Sequence, residues 1–103
     1  MPQAKPPVPP VPPAPVTPAE QRFIKVTVKR FFGEDAVVRN YGPDPKRLRL
    51  HVETKKADGL KRYDCLGVLM TRIERDQISL DVTKRGTRIF GSAKIAYRQG
   101  VVL

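Results

Sequence analysis

Two stretches of this chain place cations beside phenylalanine at a spacing of two. Lys25, Lys29 and Phe31 share one parity of Arg22 to Phe32, RFIKVTVKRFF. Arg88, Phe90, Lys94 and Arg98 share one parity of the run that begins at Thr87, and Arg47 and Arg49 continue the charge on a third segment. Such pairs have a definite chemistry: solvated cations neutralise phosphates, while bases stack on aromatic rings or on guanidinium planes. Lys84 and Arg85 precede Gly86 at a turn, and Lys55-Lys56 and Lys61-Arg62 flank another. These eleven positions (Lys25, Lys29, Phe31, Arg47, Arg49, Lys84, Arg85, Arg88, Phe90, Lys94 and Arg98) are the expected nucleic-acid contacts. Contacts of this kind position a protein on a backbone and carry no sequence information.

The charge balance points the same way. Lysine and arginine total 20 against 10 acids, for a formal net charge of +10. Lys5 and Glu20 cancel within the first 21 residues, so the whole excess belongs to the remainder. A small domain this basic repels itself, and a polyanionic partner is the usual reason to carry such a field. Catalysis has much less support. His51, the single histidine, alternates with Arg49 and Glu53 on an outward parity and reads as a surface residue. Cys65, the single cysteine, flanks an apolar run and reads as a small hydrophobe. One cysteine excludes an intrachain disulfide and a multi-cysteine metal site. Neither a phosphate-binding GxxxxGK loop nor a selected pair of carboxylates is present. The expectation is a non-enzymatic nucleic-acid-binding protein, for DNA or RNA, without metal or cofactor.

The elements that must position these residues follow from periodicity. Nine of the 11 prolines fall in the first 18 residues. That tract favours a solvated, extended backbone, so residues 1–20 read as a disordered tail and 21–103 as one small basic domain. PxxP spacings such as Pro6 to Pro9 make residues 1–18 an alternative ligand or spacer for a protein partner, and the whole an alternative assembly module. Ile24, Val26 and Val28 alternate with polar residues, as do Leu48, Leu50 and Val52, and Ile78, Leu80 and Val82. Each alternation predicts a strand. Leu66 to Val82 reads as a central β-hairpin broken at Glu74-Arg75-Asp76, fed by a tight turn at Ala57-Asp58-Gly59. Gly91 reads as a bend in a last long strand, and Val101 to Leu103 as a short closing strand able to pair between two copies.

Strands of ordinary length with frequent turns predict a mostly β fold, a small antiparallel barrel of SH3-like or OB-like form. The alternative is a curled antiparallel sheet with one short helix near 64–75, because Leu66, Leu69, Met70 and Ile73 also lie at helical spacing. No apolar run approaches the ~18 residues of a membrane span. The opening residues also lack the apolar core of a secretory signal, so a cytoplasmic setting beside nucleoid or ribosome is expected.

Overall fold

Thr17, Pro18 and Glu20 start the first element, and it is a helix. The Thr17 hydroxyl accepts from the Glu20 N–H at 3.1 Å, and the Glu20 carboxylate accepts from the Thr17 N–H at 3.0 Å. This reciprocal box, with proline in the first turn, satisfies donors that a helix start otherwise leaves bare. Helix α1 runs Pro18–Phe32 and buries Ile24, Thr27, Val28 and Phe32, a stripe at helical spacing. Val26, which alternation placed inward, is 67% exposed. The strand expected over residues 22–32 is therefore corrected to a helix, and the boundary expected at 20/21 falls inside it.

In the computed structural model, which describes residues 12–88 and 91–103, the order continues with β1 (Val37–Asn40), β2 (Arg47–Thr54), α2 (Gly59–Met70), β3 (Gln77–Lys84), α3 (Gly91–Gln99) and β4 (Val101–Val102). The four strands form one open sheet in the order β3-β2-β1-β4. β1 is antiparallel to β2 and to β4, whereas β2 and β3 are parallel. The fold is thus mixed α/β, with three helices among the described residues and no closure into a barrel. The barrel expectation is overturned, and so is the wholly antiparallel alternative. That alternative did place a helix over part of α2.

Two further segments contributed to the error. Asp58 does not make a hairpin turn; its carboxylate caps α2, accepting from the Leu60 N–H at 2.9 Å and the Lys61 N–H at 3.4 Å. Helix α2 then carries the chain back along the sheet, so that β3 pairs parallel to β2, which no tight turn allows. The first half of the expected central hairpin is accordingly helical, and only Gln77–Lys84 is strand. The last long strand is instead α3, which buries Ala93 and Ala96, three residues apart. Val101 and Val102 do form a strand, pairing with Asn40 and Arg39 of their own chain.

The sheet has one apolar and one polar face. Val38, Leu48, Leu50, Val52, Ile78 and Leu80 meet Ile24, Val28 and Phe32 of α1 and Cys65 and Leu69 of α2 in the core. Cys65 is wholly buried there, and desolvation pushes its thiol up to about 11. Arg75 fastens the entry to β3 onto α1, with one guanidinium nitrogen 2.8 Å from the Glu20 carboxylate and another donating to the Pro45 carbonyl at 2.6 Å. Burial pushes Glu20 up, but the Thr17 N–H and Arg75 outweigh it and hold its carboxyl below the ordinary range. Residues 1–11, most of the expected tail, lie outside the described residues. Ala14 does belong to the fold: its N–H donates to the Gly42 carbonyl at 2.8 Å, and its carbonyl accepts from the Asn40 amide at 2.7 Å.

Core and cap contributions are separable. Leu50→Ala, at a site with no solvent exposure, is expected to cost about 2–5 kcal/mol. Thr17→Ala is expected to cost only about 1 kcal/mol. Urea unfolding of the two variants beside the parent checks both the size and the order.

Candidate nucleic-acid interface

The polar face is built from the odd-numbered residues of three strands. On β2 these are Arg47, Arg49, His51 and Glu53. The parallel register sets them beside Gln77, Ser79, Asp81 and Thr83 of β3. On the other side Arg39 pairs with His51 and Val37 with Glu53, and the Tyr41 N–H donates to the Arg49 carbonyl at 3.1 Å. Helix α3 lies over one end of this face, and the other end is open.

Beneath α3 the charges are matched. The Tyr97 ring meets His51 edge-on, with centroids 5.4 Å apart, and the Arg39 guanidinium sits 4.3 Å from the same ring. Glu53 lies 3.5 Å from Arg39 and 3.0 Å from Arg85. Arg85 also donates to the Asp35 carbonyl at 2.9 Å. Asp81 accepts from the Tyr41 hydroxyl at 3.0 Å and lies 3.9 Å from Arg62. The Lys55 N–H, then the Thr54 hydroxyl and Arg85, outweigh burial and hold the Asp35 carboxyl below its ordinary value.

His51 corrects its sequence reading outright: it has no solvent exposure. Its Nε2 shares a hydrogen bond with the Thr83 hydroxyl at 2.8 Å, while Nδ1 is buried without a hydrogen-bond partner. Desolvation, with help from Arg39, lowers its pKa from the ordinary 6.5 against the opposing pull of Asp81 and Glu53. The lowered pKa favours the uncharged ring, which packs edge-on against Tyr97 as a buried strut.

The expected contact residues divide among these surroundings. Arg47 and Arg49 are exposed at the open end, and Lys94 and Arg98 are exposed on α3, on the same side of the sheet. None of the four has an ion pair among the described residues. Lys84 and Arg88 are exposed nearby on the chain, and Arg85 between them in sequence pairs with Glu53 and Asp35. The two turn clusters meet, as the Arg85 N–H donates to the Thr54 carbonyl at 2.9 Å beside Lys55 and Lys56. Lys25, Lys29 and Phe31 lie elsewhere. They belong to α1, on the apolar side, where Lys29 pairs with Glu34 at 3.7 Å and Phe31 packs against the core. The cation–phenylalanine parity expected there vanishes with the strand. Phe90 lies outside the described residues.

At the open end a depression of about 380 Å³ is lined by Arg47, Leu48, Arg49, Gln77, Ser79, Pro43 and Asp44. Gln77 and Ser79 had no place in the sequence reading of the site, because only the parallel register brings them to the arginines. No family model, curated protein or solved structure matches the chain, so its function is argued from this geometry alone. Among the described residues, no helix is long and apolar enough to cross a membrane.

A buried histidine whose pKa is lowered gives the fold a pH dependence of known sign. Folded His51 binds fewer protons than the unfolded chain does, so its contribution to stability is complete above pH 6.5 and is lost as pH falls through its lowered value. Between about pH 7.5 and 5, urea midpoints of the parent are expected to drop more than those of His51→Gln. Glu20 and Asp35, whose ordinary values are 4.5 and 3.8 and are lowered further, titrate below that window.

Proposed function

We propose that this protein binds nucleic acid through the phosphate backbone, on the side of the sheet that carries α3. The observation that carries this reading is the set of exposed cations on that side with no ion pair among the described residues: Arg47, Arg49, Lys94 and Arg98. No aspartate or glutamate follows Asp81, whereas Lys84, Arg85, Arg88, Lys94 and Arg98 all do. Surfaces built for solubility alone mix the signs, and a cation already neutralised by an acid has little left for phosphate. Glu53 is engaged by Arg39 and Arg85, Asp81 by Arg62 and Tyr41, and Asp44 by its own turn, which leaves the open end and the outer face of α3 positive.

Binding by such a surface gains from release of the counterions condensed on the nucleic acid. It needs no cofactor and no covalent step. The partner is DNA or RNA, contacted by charge, and a cytoplasmic setting beside nucleoid or ribosome suits that partner. The lysines of α1 stand outside this surface, on the opposite layer.

The test is a salt titration of binding to labelled oligonucleotides by fluorescence anisotropy. Affinity is expected to be high at low salt and to fall steeply as salt rises. Replacing Arg47, Arg49, Lys94 and Arg98 together by alanine is expected to flatten the log–log slope by roughly three. Lys25→Ala with Lys29→Ala is expected to leave it nearly unchanged. Weak binding of both DNA and RNA at low salt would sink the reading.

A further inference from the structure

We infer that the depression at the open end of the polar face seats one nucleotide of a single-stranded nucleic acid, with Arg47 and Arg49 on its phosphate and Gln77 and Ser79 as polar contacts beside them. This rests on the nucleic-acid reading above and adds the form of the ligand.

Register alone groups the four side chains. Arg47 pairs with Gln77 and Arg49 with Ser79, all on the same face. Neighbouring strands lie about 4.8 Å apart, and alternate residues along a strand about 6.6 Å apart. The quartet therefore covers a patch on the scale of one phosphate group. Two guanidinium forks, an amide and a hydroxyl are the donors such a group accepts from.

Arg49 is positioned before any ligand arrives. Its stem runs over Gly42, where an added Cβ would lie 3.1 Å from both Cβ and Cγ of Arg49 and 2.9 Å from the Arg47 carbonyl oxygen. Its guanidinium sits 5.3 Å from the centre of the Tyr41 ring, and the Tyr41 hydroxyl is held by Asp81. Gly42 is fixed in turn, its N–H donating to the Asn40 side chain at 3.3 Å and its carbonyl accepting from Ala14. An arm held this way loses little freedom on binding. The one acid in the wall, Asp44, directs its carboxylate to the Lys46 N–H of its own turn at 2.9 Å.

Shape selects the single strand. A volume of about 380 Å³ exceeds what a lone phosphate fills, leaving room for the attached sugar. Pro43 and Asp44 line it beside the arginines, so the phosphate enters a recess and does not lie on a flat face. A double helix presents its phosphates on a stiff convex surface, whereas a nucleotide free of a partner strand can bend in.

The experiment uses the full chain, isotopically labelled, with backbone amide shifts followed by NMR. It is titrated separately with a nucleoside 5′-monophosphate, a single-stranded 12-mer and the matching duplex. Arg49→Lys, which keeps the charge and loses the fork, is run in parallel. The single strand is expected to shift the Arg49, Gln77 and Ser79 amides and to bind about tenfold more tightly than the duplex. Arg49→Lys is expected to remove most of that preference while leaving the salt slope intact. Equal affinity for single strand and duplex, with the variant indistinguishable from the parent, would overturn the seat and leave backbone binding standing. Shifts from the mononucleotide without binding of either polymer would make this a free-nucleotide pocket and overturn both readings.

Discussion

The parallel pairing of β2 with β3 is the constraint on which the rest of this structure depends. Eight consecutive residue pairs, from Arg47–Gln77 to Thr54–Lys84, lock the two strands in one register. Because side chains alternate across a strand, a slip of one residue would exchange the two faces, driving Leu48, Leu50 and Val52 into solvent and the arginines into the core. The apolar face pays for the arrangement through its burial under α1 and α2. The polar face is then free to vary along its length. It is charge-matched where α3 covers it and uncompensated where α3 stops.

That division explains how a chain so rich in cations folds. Self-repulsion is relieved where arginines meet acids: Arg39 and Arg85 flank Glu53, Arg75 reaches Glu20, and Arg62 leans toward Asp81. The cations without an acid lie toward solvent, where screening keeps their mutual cost low. Arginines paired with an acid and arginines without an ion pair among the described residues are thus distinct sets. Arg85 and Arg49 differ not in sequence context but in whether an acid stands across the sheet.

Much of the strand content was legible. Leu48, Leu50 and Val52, and Ile78, Leu80 and Val82, alternate because one face of each strand is buried, and both segments are strands. The helices were misread for a specific reason. Ile24 and Val28 are four apart, which satisfies helical and extended periods alike, and Val26 between them tipped the pattern toward a strand. The deciding signal was the capping box of Thr17 and Glu20, which lay at the end of a proline tract read as tail. In α3, Ala93, Ala96 and Tyr97 mark a helical stripe, but alanine buries too little to stand out against the alternation of Gly91, Ala93, Ile95 and Tyr97. The site was half legible. Arg47 and Arg49 were visible as an outward pair, while Gln77, Ser79 and the close approach of Gly42 depend on a long-range register that local spacing does not encode.

The sealed position of Cys65 has a consequence of another kind. Only a thiolate reacts readily with alkylating or oxidising reagents, and this thiol is both wholly buried and pushed up to about 11. A reagent therefore meets it only in moments when α2 lifts from the sheet. As the lone sulfhydryl in the chain, it acts as a native clock: its labelling rate measures how often that layer opens, with no engineered probe in the molecule.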